Sequence, residues 1–191
     1  MIEKMPGYYE DKFDNLRTFY AYMMAHPGKK LSFMGNEFAQ FIEWNYKNEL
    51  DWLLLGYEKH KKMQCYIKEL NTFYLDNSEL WENDTDWNGF SWISADDRDQ
   101  SVIAFRRINK KGDELICVFN FCPVTRTNYR LGLPQNKKYV PVFSTERARY
   151  GGRSVRAKFV RPQKIPMHGF EQSGEFLSPA MSAVYYKSEN K

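Results

Sequence analysis

Asn36, Glu37, Gln40 and Trp44 stand within a single nine-residue span of the stretch LSFMGNEFAQFIEW, residues 31–44. Two amides and a carboxylate supply both donors and acceptors, which sugar hydroxyls need, and an indole offers a flat face to the C–H side of a sugar ring. The set therefore suits a polyhydroxylated ligand. Gly35 before it lets the backbone turn away from the apolar run Leu31–Met34. The same residue types also serve a plainer purpose: Asn36 and Glu37 as braces of the loop, and Trp44 as filler of a domain junction. A carboxylate at a strand end commonly holds a neighbouring group rather than a ligand.

Other candidates for chemistry are weaker. Glu37 and Glu43 lie six residues apart on one loop, but loop carboxylates are usually solvated, so they are not taken as an acid/base couple. His26, His60 and His168 have no nucleophile or metal partner in the sequence and are read as structural. Cys65, Cys117 and Cys122 are odd in number, lack zinc-ligand spacing and lie in or beside apolar runs, as buried free thiols in a reducing compartment would. No metal and no cofactor are expected. A net charge of +4 on 191 residues reads as a solvated surface rather than a nucleic-acid patch. The chain has no long apolar run of membrane-spanning length, so a cytoplasmic protein without a membrane partner is expected.

The elements that must position the loop show two different periods. Tyr9, Phe13, Leu16, Tyr20 and Met23 recur at three- and four-residue steps and predict a helix over about 9–25. HPGKK ends it, because Pro27 disfavours a helical His26 and Gly28 supplies a turn. Leu31–Met34 reads as a short buried parallel strand. A second helix starts near Glu58, with Met63, Ile67, Leu70 and Tyr74 on one face. After Gly89 the pattern changes to short strands: FSWI, SVIAFRRI, ELICVFNF, TNYRLGL, KYVPVFS, SVRAKFV and MSAVYYK, with NKKGDE as the hairpin turn between the second and third. These predict an antiparallel sandwich. One parallel strand between two helices cannot close a ladder, so the first part reads as the tail of a larger α/β domain.

These motifs carry a resemblance. Residues 4–45, KMPGYYEDKFDNLRTFYAYMMAHPGKKLSFMGNEFAQFIEWN, resemble the late barrel segment of bacterial 1,4-alpha-glucan (glycogen) branching enzymes of the alpha-amylase superfamily. LDWLLL at 50–55, GFSWISADD at 89–97, VFNFCPV at 118–124, RYGG at 149–152 and IPMHG at 165–169 match in the same order. The chain departs from that family's pattern at Tyr8, where Asp is usual, and at Ala39, where Gly is usual.

The resemblance implies a C-terminal fragment of a glycosyltransferase of glycogen biosynthesis, with residues 1–74 closing a (β/α)8 barrel, 75–88 a connector and 89–191 an all-β C-terminal domain. It implies an alpha-glucan ligand in the intact enzyme, bound in part by Asn36, Glu37, Gln40 and Trp44. The family's catalytic Asp, Glu and Asp, which follow strands four, five and seven, match no residue here, so the chain alone is expected to lack turnover. The missing N-terminal barrel portion is then a partner, and the bare helix faces of Phe13, Leu16, Tyr20 and Met63, Ile67, Leu70 are expected to be exposed and to favour self-association. The alternatives are a nonenzymatic glucan-binding or partner-docking β module, and a fragment of a related amylase or debranching enzyme.

Overall fold

A computed structural model describes residues 1–189. Helix α1 spans Tyr9–Ala25 and helix α2 spans Glu58–Asp76, in agreement with the helical spacing. α1 begins after Gly7, whose φ of +91° suits glycine and where a Cβ would lie 2.5 Å from that of Asp11. The Asp11 carboxylate accepts the Tyr8 N–H at 3.1 Å, placing negative charge at the positive end of the helix. α1 stops at Ala25 because His26, ahead of Pro27, is extended.

Seven strands follow: β1 Phe90–Asp97, β2 Val102–Ile108, β3 Glu114–Asn120, β4 Arg126–Gly132, β5 Tyr139–Ser144, β6 Ser173–Ser178 and β7 Ser182–Ser188. Five form an antiparallel sheet in the order β1-β2-β3-β7-β5, and β4 pairs with β6 in a second, two-stranded sheet. In the NKKGDE hairpin, Asn109 bonds the amides of Lys111 and Asp113 at 3.0 and 2.9 Å. Alternation along the large sheet divides its side chains between two cores. Phe105, Leu115, Cys117, Phe119, Phe143, Ala183 and Tyr185 face α1 and α2. Val102, Ala104, Ile116, Val118, Val184 and Tyr186 face Tyr129, Leu131 and Phe176 of the small sheet. β3 is buried along its whole length because it is covered on both faces. The arrangement is an antiparallel all-β sandwich with two helices laid over its larger sheet.

Three expectations need correction. Residues 31–34 form no strand; Leu31 is 75% and Phe33 43% exposed, and Met34 already turns the chain at φ +41°, because no neighbouring strand offers a ladder to that apolar run. The faces of Phe13, Leu16, Tyr20 and of Met63, Ile67, Leu70 are not bare, since the helices pack on each other and share one core with the large sheet, so they give no surface for self-association. SVRAKFV makes only a single bridge, Tyr139 to Val160: Ser154 is left-handed at φ +63°, and its cations face no ladder partner. β6 went unread because Ser173, Gly174 and Ser178 dilute its apolar signal. Trp92 of β1 is 39% exposed and packs edge-on to Phe90 at 4.9 Å.

Polar ties fix the helices to the sheet and to each other. The Tyr185 hydroxyl donates to Ala21 O at 2.6 Å, and the Tyr66 hydroxyl to Arg17 O at 2.7 Å. Arg107 of β2 is fully buried; it donates from Nη1 to Ala25 O at 2.7 Å, from Nε to Gly89 O at 3.1 Å and from Nη2 to Asp84 at 2.7 Å. Arg107→Met would strip Asp84 of its cation and two carbonyls of their donor. A loss of about 3 kcal/mol or more is expected in urea unfolding, because removing one partner strands buried polar groups. A loss under about 1 kcal/mol would mean that the pair behaves as a solvent-screened one.

Candidate functional site

The loop from Lys29 to Tyr57 carries the predicted site residues. It leaves α1 through Gly28, at φ +105°, whose N–H donates to Asp84 Oδ2 at 2.9 Å. Lys30 follows, with its ammonium on the carbonyl of His26 and 5.5 Å from the centre of the Tyr74 ring. Burial lowers its pKa to about 8, against the opposing pull of Asp84.

Gly35 turns the chain at φ +79° into a 3-10 turn, Asn36–Phe38, and Ala39 closes the turn in the left-handed conformation at φ +60°. A Cβ at Gly35 would meet Gln40 Oε1 at 2.8 Å. Gln40 is 3% exposed and spends its amide within the loop. Its Nε2 donates to Ile42 O at 2.8 Å, and its Oε1 accepts from Asp51 N at 2.8 Å. His60 of α2 is buried and reaches Phe38 O through Nδ1 at 2.8 Å, which fixes that nitrogen as the protonated one. Tyr20 of α1 donates its hydroxyl to Asn36 O at 3.1 Å. Burial, and to a lesser degree Glu37, push the Tyr20 pKa well up, so it stays a donor.

The four predicted residues separate on this frame. Asn36 and Trp44 meet at a cavity of about 170 Å³ that Phe33 and Glu43 also line. Trp44 is 69% exposed, with its ring 5.2 Å from that of Phe33. Glu37 is half-buried, makes no hydrogen bond or ion pair among the described residues, and does not line that cavity. Gln40 points into the loop and serves as its brace. Glu43 is held by Lys4 at 3.0 Å and by the Met1 amino group, away from any pairing with Glu37. The same loop also exposes Tyr46, Trp52 and Tyr57, which sequence reasoning did not assign. Their signal was the aromatic density of WNYKNELDWLLLGY. Among the described residues, no His, Cys, Asp or Glu cluster suits a metal ion, and no helix is long and apolar enough to cross a membrane.

The sandwich itself decides the family. The alpha amylase C-terminal all-beta domain matches residues 92–189, which is more than half of the chain. The chain belongs to the alpha-amylase C-terminal domain family. Over 100% of its length it is 49% identical to the 1,4-alpha-glucan branching enzyme GlgB of Halothermothrix orenii, and covers 31% of that protein. The GlgB of Desulfitobacterium hafniense is 41% identical over 99% of this chain and 30% of its own length. This alpha-amylase-type chain thus spans about a third of the curated relatives it matches. Among solved structures, the Nostoc punctiforme debranching enzyme aligns over 93% of this chain and 32% of its own, with a TM-score of 0.62 at 13% identity. The alpha-amylase of H. orenii aligns over 92% and 36%, with a TM-score of 0.58 at 15% identity, a likeness of fold alone.

Gln40→Ala tests the brace. It removes the acceptor of Asp51 N and the donor to Ile42 O, so a loss of about 1–3 kcal/mol is expected. Hydrogen exchange at Asp51 should speed up while the sheet amides of β3 keep their protection; unchanged exchange at Asp51 would show that the loop holds without the amide.

Proposed function

We propose that this chain is the C-terminal portion of a 1,4-alpha-glucan branching enzyme, which transfers an alpha-1,4-glucan segment to a 6-hydroxyl of a glucan chain. The observation that carries the reading is the 49% identity to the H. orenii enzyme across the whole chain. In this reading residues 1–74 end a (β/α)8 barrel, 75–88 connect, and 89–191 form the β domain. Residues 31–34 become the last barrel strand when neighbouring strands flank them, and the exposure of Leu31 and Phe33 is what an unflanked strand would show.

Retaining glycosyl transfer needs a carboxylate nucleophile and a carboxylic acid about 5 Å apart across the scissile bond. The family motif assigns neither role to a residue of this chain. Its contribution is the wall of the glucan crevice, built by the loop that follows the last barrel strand. The unengaged Glu37 carboxylate is available to a sugar hydroxyl, the Asn36 side chain adds an amide, and the exposed Trp44 ring offers a face for stacking. Gln40 acts through the loop, by holding the backbone that carries the other three.

Expressed alone and mixed with amylose, the chain should form no alpha-1,6 linkages, scored by debranching and chain-length analysis. Substituted for the matching segment of the H. orenii enzyme, it should support branching. In that chimera Glu37→Gln should slow branching roughly tenfold or more with the melting curve unchanged, as loss of a charge-assisted hydrogen bond would. Trp44→Ala should mainly weaken glucan affinity. Branches made by the isolated chain would overturn the reading, and wild-type behaviour of both chimera variants would remove the loop from the crevice.

A further inference from the structure

Residues 147–164 contain seven arginines and lysines and no carboxylate, in a chain whose total charge is only +4. The remainder is therefore net acidic, and the positive charge is concentrated on one segment. That segment leaves β5 and borders a groove of about 550 Å³. Arg147, Arg149 and Arg156 line it with Ser144 and Ser154, while Pro141, Val142 and Phe143 supply apolar surface. Its one lining carboxylate, Glu146, is 2% exposed and accepts the Arg153 N–H at 3.2 Å; burial pushes its pKa up.

Two of the guanidinium groups are held close together. The Tyr150 hydroxyl accepts from Arg147 Nη1 at 3.4 Å and from Arg149 Nη2 at 3.2 Å, while it donates to Glu69 Oε2 at 2.6 Å. That uses the full capacity of one hydroxyl. Glu69 compensates Arg149, but Arg147 and Arg156 have no carboxylate partner among the described residues. The Arg147 guanidinium also lies 5.9 Å from the centre of the Phe143 ring. Like charges gathered at a concave site favour an anion, and the guanidinium fork matches phosphate in a bidentate manner. The apolar surface adds area for an organic body, and the volume falls within the range of small-molecule sites.

We propose that this groove binds a small organic phosphate, a phosphate ester carried on a sugar or a nucleoside, held by Arg147, Arg149 and Arg156. The site is separate from the loop that carries Glu37 and Trp44, and its ligand need not be a glucan. Calorimetric titration of the chain at low salt with a hexose 1-phosphate, a nucleoside diphosphate, inorganic phosphate and neutral glucose tests it, and the first two arms distinguish the two carriers. Saturable binding of a phosphate ester, weaker binding of inorganic phosphate and none of glucose are expected. Arg147→Gln and Arg156→Gln should each weaken ester binding about tenfold, the worth of one charge-assisted contact. Arg161→Gln removes the same charge outside the groove and should change affinity by less than about twofold, as a screened surface charge would. Because Arg156 is exposed, its variant should keep the parent melting temperature, so lost binding there reports on the groove. Equal weakening by Arg161→Gln, inorganic phosphate binding as tightly as the esters, or no saturable binding would each overturn the proposal.

Discussion

A buried guanidinium joins the end of the first helix and the connector to the large sheet of this chain. Arg107 gives one hydrogen bond to the last carbonyl of α1, one to Gly89 O just ahead of β1, and one to Asp84 of the connector, whose other oxygen holds the amide of Gly28. Taking a charge out of water is costly unless its donors are met, so the three partners and the cation must be in place together. The helix end, the start of the site loop, the connector and β2 are thereby set relative to one another. A lysine, with a single compact ammonium, would not present donors in three fixed directions. The abrupt stop at HPG has its reason here: α1 must end where its last carbonyl meets Arg107.

The helices packed on the sheet explain why the exposed apolar faces expected from the sequence are absent. Each helix alone presents a stripe with no visible partner, and the sequence shows only that a stripe exists. Periodicity made α1, α2, β2, β3 and the Asn109 hairpin legible, since each has a clear period and strong terminal signals. It misled at 154–160, where small and cationic residues alternate as in a half-buried strand but no partner strand runs beside them. It misled again at Leu31–Met34, whose apolar character registers a need for burial without revealing whether this chain meets it. β6 is the converse case. Its pairing with β4, with Arg130 opposite Glu175, comes from tertiary contacts that local composition does not record.

At the site, residue type could not separate a ligand contact from a brace. Gln40 and Asn36 carry the same amide chemistry, yet Gln40 is buried with both ends of its amide bonded inside the loop, whereas Asn36 lines a cavity beside Trp44. Only position distinguishes them. Arg107 was equally hidden, because an arginine in a β-strand ordinarily marks the solvent face. The glycine pattern was more informative: Gly35 after an apolar run made a turn readable, and the structure gives it φ +79° with no room for a Cβ beside Gln40, although that brace was not readable.

Ala39 bears on how the loop works. It is left-handed at φ +60°, a conformation that costs a residue with a Cβ about 1–2 kcal/mol relative to glycine, the residue usual at this place in the resembled family. Its methyl is fully buried in the core shared with α1 and α2, and packing there offsets part of that strain. His60 on Phe38 O and Tyr20 on Asn36 O fix the carbonyls to either side of Glu37. The backbone under Asn36 and Glu37 is thus set by contacts inside the protein before any ligand arrives. On the reading proposed above, a glucan at this loop would meet a preorganised backbone at little ordering entropy, and the side chains left to adjust to it would be the exposed rings of Trp44, Tyr46 and Trp52.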